Sequence, residues 1–134
     1  MATRSRIAIK TEDKILSVYC HWDGYPEGVG ATLKTHYQDP AKILSLMDLG
    51  SLSVLGSEIG ERQDFDNRET RNEEWCLAYG RDRGEKDTSA KEWESIDALV
   101  KNVKSSDQEY LYLHDNGWKY LDLDQVQKSG WQTL

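Results

Sequence analysis

Apolar and polar residues alternate through Arg6-Ile-Ala-Ile-Lys10 and again from Ile15 to Trp22, with the polar link Thr11-Glu-Asp-Lys14 between the two runs. That pattern predicts a β-hairpin. With Glu12 and Asp13 as its loop, Ile9 stands opposite Leu16 and Ile7 opposite Val18. Ile7, Ile9, Leu16, Val18, Cys20 and Trp22 then face the core, and Tyr19, His21 and Asp23 face the other way. Gly24 and Pro26 break the strand. Val29, Leu33 and Tyr37 follow at four-residue spacing, which predicts a short amphipathic helix entered through Gly28 or Gly30. Asp39-Pro40 starts a second helix: Asp39 is the N-cap and Pro40 the first helical residue, with Ile43, Leu44 and Met47 on one face and Gly50 as the stop. Leu52, Val54 and Leu55 read equally as a short strand or an anchored loop.

Residues 57–74 are polar or charged except for Ile59 and Phe65, the pattern of a long, mobile surface loop. Trp75-Cys-Leu-Ala-Tyr79 resumes a buried strand, closed by Gly80-Arg-Asp-Arg-Gly84. Ser89-Ala-Lys-Glu92 has the spacing of a capping box, and Trp93, Ile96, Val100 and Val103 mark the buried face of the helix it would open. Asp115-Asn-Gly117 separates Tyr110–His114 from a run beginning at Trp118, and Asn-Gly suits a type I′ turn with Leu113 opposite Tyr120. One face of that hairpin carries Leu111, Leu113, Trp118 and Tyr120, the other Tyr110, Tyr112, Leu121 and Leu123. Both are apolar, so the hairpin is expected to be covered on both sides. The sum is an α+β protein: a single domain over 1–134, with a mainly antiparallel sheet of four to six strands built from two hairpins and about three helices packed against it.

Composition narrows the class. A chain of 134 residues fits one core, to which five Trp and seven Tyr contribute much of the buried area. The net charge of −7 opposes direct binding of nucleic acid but favours a basic groove on a partner. Two cysteines, Cys20 and Cys76, are too few for a disulfide scaffold or a four-cysteine zinc site, and both lie in apolar runs. No apolar run has the length of a signal peptide or of a membrane span, which takes roughly 18 residues. A cytoplasmic protein is expected.

The densest chemistry lies in Ser17-Val-Tyr-Cys-His-Trp-Asp-Gly-Tyr-Pro-Glu-Gly-Val-Gly30. His21 and Asp23 are spaced for a carboxylate to orient an imidazole, or for both to share a metal, but no third member accompanies them. His36 and His114 add no metal-binding arrangement. The glycines do not form a phosphate loop, because Ala31 stands where its lysine would be. Cys20 and His21 are adjacent on a strand and point to opposite faces, which argues against a Cys/His dyad. Arg81 and Arg83, between Gly80 and Gly84, suit bidentate contact to a phosphate or carboxylate, and equally a structural ion pair. If the strand from Trp75 runs near the first hairpin, His21, Asp23, Tyr25, Arg81 and Arg83 converge. The candidate binding set is Tyr19, His21, Asp23, Tyr25, Glu27, Arg81 and Arg83, with no catalytic set, metal or cofactor assigned.

The stretch Tyr19 to Gly30, continued by Leu33, His36-Tyr37, Leu49-Gly50, Ser53-Val-Leu-Gly56, Ala78 to Glu85 and the hairpin containing Trp118, resembles a group of small uncharacterised bacteriophage and mobile-element proteins. The resemblance carries no activity with it. It implies a phage accessory protein in the host cytoplasm, of a kind that counters defence by binding a host component. The expected function is therefore stoichiometric inhibition of a host defence protein or protein–nucleic acid complex, such as a CRISPR effector. The alternative is a small-ligand protein that binds, sequesters or hydrolyses a nucleotide or other phosphorylated molecule.

Overall fold

In the computed structural model, which describes residues 2–123 and 130–134, the first hairpin has the register its alternation dictates. β1 (Ser5–Lys10) and β2 (Ile15–Cys20) pair antiparallel, with Ile9 opposite Leu16 and Ile7 opposite Val18. Ile7, Ile9, Val18 and Cys20 are buried on one face, while Arg6 and Ala8 share the other with Tyr19 and Ser17. Trp22 departs from this pattern. The strand ends at Cys20 and Asp23 turns the chain at φ 57°, leaving Trp22 41% exposed rather than in the core.

Eight strands are present among the described residues, in the order β4 (Leu77–Ala78), β3 (Leu52–Val54), β2, β1, β6 (Tyr110–His114), β7 (Trp118–Asp122) and β8 (Gln132–Thr133), with β5 (Lys91–Trp93) also on β2. β3 runs parallel to β2, and β4 antiparallel to β3. β5 pairs antiparallel with Ile15–Ser17 of β2. β6 lies parallel to β1 and forms a hairpin with β7, which pairs with β8. The sheet is thus larger than expected and mixed, rather than mainly antiparallel. The three unforeseen or uncertain strands, β3, β5 and β8, are only two or three residues long, too short for alternation to mark them.

A π-helical turn, Pro26–Gly30, leads into α1 (Ala31–His36), and Val29, Leu33 and Tyr37 are all buried. In α2 (Pro40–Leu49), Asp39 caps the Ala41 N–H at 3.0 Å and Gly50 ends the helix at φ 78°. Its buried face is Ile43, Leu46 and Met47, whereas Leu44 points outward. These elements cover one face of the sheet, packing on Ile7, Val18, Cys20 and Tyr112. On the other face Leu99 and Val103 of α4 (Ile96–Lys104) pack on Ala8, Leu111 and Leu113. Replacing the Asp39 cap by Ala is expected to lower stability by about 1 kcal/mol, read as a lower urea midpoint with an unchanged slope.

Three further expectations are corrected. Residues 91–93 form β5 rather than the first turn of a helix, so Ser89 caps nothing; Ser95, extended at φ −152°, caps Ala98 N–H at 3.1 Å. The last hairpin turns through three residues, with His114 opposite Trp118 and Tyr112 opposite Tyr120. That one-residue change moves Trp118 and Tyr120 to the face of Tyr112, and Leu121 to that of Leu111. The strand expected over Trp75–Tyr79 is confined to Leu77–Ala78, and the segment that follows is a helical turn, α3 (Tyr79–Arg83), ended by Gly84 at φ 77°. Within residues 57–74, Gln63 is buried and tied to the fold through its amide. Among the described residues, no helix is long and apolar enough to cross a membrane.

Candidate functional site

Beyond β2 the chain stays on the sheet for two residues, His21 and Trp22 donating their N–H groups to Leu52 O at 3.0 Å and Ser53 O at 3.1 Å. Asp23 then turns away. Its carbonyl accepts the Val29 N–H at 2.8 Å, folding residues 23–29 into a compact loop. Gly28 is required there, since a Cβ on it would stand 2.4 Å from the Asp23 oxygen. The loop's carboxylates and rings stay outside: Trp22, Asp23, Tyr25 and Glu27 are exposed.

The candidate residues fall into separate groups. Tyr19 Oη and His21 Nδ1 are 2.7 Å apart, and the His21 ring meets Trp22 edge-on at 4.8 Å. Desolvation pushes the Tyr19 hydroxyl above its ordinary pKa, with Arg4 acting the other way. Tyr25 Oη donates to Asp23 Oδ1 at 3.1 Å, and that bond raises the tyrosine's pKa. Trp22, Asp23, Glu27 and Thr32 line a cavity of about 170 Å³ beside α1. An indole beside two carboxylates suits an ammonium or guanidinium group, through cation–π contact and charge together.

The arginines do not join this set. Arg81 spends all five of its N–H groups locally: Nε and Nη2 on Asp82 at 3.0 and 3.2 Å, Nη2 also on Cys76 O at 2.8 Å, and Nη1 on Ile59 O and Gly60 O at 2.9 and 3.3 Å. Arg83 sits over the Phe65 ring at 5.1 Å and pairs with Glu85 at 3.8 Å. Arg81 therefore braces the loop from residue 59 against β4, and the proposed convergence with Asp23 and Tyr25 does not form. Trp22 is the member that sequence reasoning missed. Its place in the alternation marked it as core, and the only contrary signal was the Asp-Gly pair that follows.

Neither thiol offers an exposed nucleophile. Cys20 is fully buried, and desolvation pushes its pKa up to about 12. Cys76 is buried against Tyr37 Oη at 3.4 Å and is likewise shifted upward, with desolvation the largest cause. Among the described residues no group of three His, Cys, Asp or Glu side chains is arranged to hold a metal ion. Comparison with protein-family models, curated proteins and solved structures finds no match to this chain.

Proposed function

We propose that the protein is a binding module that acts stoichiometrically on a partner with a basic surface, engaging it through Trp22, Asp23, Tyr25 and Glu27. The observation that carries this reading is the exposure of Trp22 and Tyr25 on one short loop, with Trp22 at a small cavity that Asp23 and Glu27 also line. Isolated exposed apolar residues are ordinary, but an aromatic pair next to fixed negative charge is the composition of an interface anchor for Arg or Lys. The net charge of −7 supports the same partner, since it speeds encounter with a basic surface and makes association weaken with salt. The resemblance to phage accessory proteins points to the partner's class: a host defence protein or complex whose basic groove ordinarily holds nucleic acid. Inhibition of that complex by occupancy is the proposed outcome.

The test is capture from bacterial lysate by the full-length chain, followed by titration of the captured activity. Inhibition is expected to saturate near one equivalent and to weaken with added salt. The double variant Trp22→Ala, Tyr25→Ala is expected to bind more weakly by at least about 2 kcal/mol, roughly thirtyfold. Its urea midpoint should fall by much less than for loss of a core aromatic, which costs about 3–5 kcal/mol, because both side chains are already partly exposed. Complete inhibition at a small fraction of the target concentration would mean turnover and would overturn the reading.

A further inference from the structure

Independently of that surface, we propose that the crevice at the outer edge of β2, where its neighbour changes from β5 to β3, binds a phosphate-class oxyanion with Arg6 at its floor. β2 pairs with β5 as far as Ser17 and with β3 from Cys20. In the gap between them, beside Val18 and Tyr19, lies a cavity of about 170 Å³. Arg6 and Ser17 form its buried base, Ser51 its wall, and Ser89, Lys91 and Asp87 its exposed mouth.

Two buried donors at this base lack an acceptor among the described residues. Arg6 is only 7% exposed, and its Nε–H has no partner. The other guanidinium nitrogens reach neutral oxygens only, Nη1 the Ser17 hydroxyl at 3.3 Å and Nη2 the Gln108 amide at 3.2 Å. The nearby carboxylate, Asp107, pairs with Arg4 at 3.4 Å. Ser17 is 1% exposed and accepts twice, from Arg6 and from Trp93 Nε1 at 2.8 Å. A hydroxyl has two lone pairs and one proton, so its O–H remains to be donated. A buried guanidinium without a facing carboxylate is unfavourable, and burial lowers the Arg6 pKa accordingly. An anion accepting from Arg6 Nε and Ser17 Oγ would relieve both defects.

Size and charge limit the ligand. The cavity is smaller than the roughly 300–1,000 Å³ of pockets that enclose drug-sized molecules, so it takes a phosphoryl head rather than a whole nucleotide. Lys91 adds positive charge at the mouth and Asp87 removes some, which disfavours a highly charged ligand. The mouth is positioned by the segment after α3: Ser51 N–H donates to Thr88 O at 2.7 Å, and a Cβ on Gly50 would lie 2.1 Å from that oxygen.

The test uses the ¹⁵N-labelled full-length protein, titrated with inorganic phosphate and separately with the monoester O-phosphoserine, against sodium chloride at matched ionic strength. Saturable amide shifts are expected at Val18, Tyr19, Ser51 and Ser89. Arg6→Gln is expected to weaken binding by about tenfold to a hundredfold, the range for losing hydrogen bonds to a charged group. Ser17→Ala and Lys91→Glu should weaken it less, and Lys101→Glu, the same charge change on exposed α4, should not disturb the local shifts. Binding of the monoester identifies an oxyanion carried on a larger molecule; binding of phosphate alone identifies the free ion. Shifts that do not saturate, or that persist unweakened in Arg6→Gln, overturn the site. If Arg6→Gln fails to fold, unweakened binding by both Ser17→Ala and Lys91→Glu does so.

Discussion

Replacing Asp82 by Ala is expected to destabilise the protein by about 3–5 kcal/mol, the usual result of removing one member of a buried ion pair. The carboxylate is fully buried and accepts four hydrogen bonds. Oδ1 takes the Gln63 N–H at 2.8 Å and Arg81 Nε at 3.0 Å, and Oδ2 takes the Ala78 N–H at 2.8 Å and Arg81 Nη2 at 3.2 Å. Alanine would orphan two backbone donors and leave the guanidinium without its counter-charge. Arg81 in turn holds the carbonyls of Ile59, Gly60 and Cys76, so β4 and the residues around Gln63 should loosen together. By contrast, the exposed pair Lys14–Glu92, although closer at 2.7 Å, is expected to contribute little, because solvent screens it. Urea denaturation of Asp82→Ala, Asp82→Asn and the double variant with Arg81→Ala decides the matter. Asn keeps one acceptor and should fall between, and the double variant should lose less than the sum of its parts. A loss below about 1 kcal/mol for Asp82→Ala would show that the pair is not the brace described.

The elements legible in the sequence are those whose signals are local. The Glu12–Asp13 turn fixed the register of the first hairpin because strong alternation flanks it on both sides. Asp39, Pro40 and Gly50 bounded α2 because capping chemistry is local. Where a distant partner decides, the local signal misled. Ser89 to Glu92 has the spacing of a cap, yet pairing of Lys91–Trp93 with β2 makes it a strand, and Ser95 takes the capping role. Asn116-Gly117 suggested a two-residue turn, but β7 pairs one residue earlier, with Trp118 and Tyr120 on the face shared with Tyr112.

The sites follow the same division. Tyr19 and His21 share a face, as strand periodicity requires, and Tyr25 meets Asp23 within one short loop. The arginines were misplaced because Asp82, flanked by arginines in the sequence, turns inward to hold the backbone of the preceding loop. Arg6 carries a signal of its own in the sequence. The hairpin register sets it opposite Tyr19 and diagonal to Ser17, a charged side chain on a strand flanked by sheet on both sides.

Cooperative unfolding in alkali is the other large effect expected. Burial raises the pKa values of Cys20, Tyr37, Cys76 and Tyr112, that of Cys20 from 9.0 to about 12. In the unfolded chain the thiols ionise near 9.0 and the phenols near 10.0. Above those values the folded state binds more protons than the unfolded state, so stability falls as pH rises. The contribution of these groups is intact below 9.0 and is lost progressively as pH climbs towards their folded values. Each group weakens the fold by about 1.4 kcal/mol per pH unit across its own window, so Cys20, Tyr37 and Tyr112 together remove on the order of 4 kcal/mol per unit above pH 10.0. A small domain holds only about 5–15 kcal/mol in total, so unfolding should follow within a few units. Urea midpoints measured under reducing conditions as pH is raised should fall with that steepness. Tyrosinate absorbance of the two buried phenols should appear together with the loss of far-ultraviolet circular dichroism. Tyr37→Phe, whose hydroxyl donates to Gly56 O at 2.7 Å, should begin less stable at neutral pH but lose stability less steeply, by one proton's worth, above 10.0. Ionisation of Tyr37 and Tyr112 near 10.0 while the circular dichroism remains native would contradict the burial on which the packed face of the sheet depends.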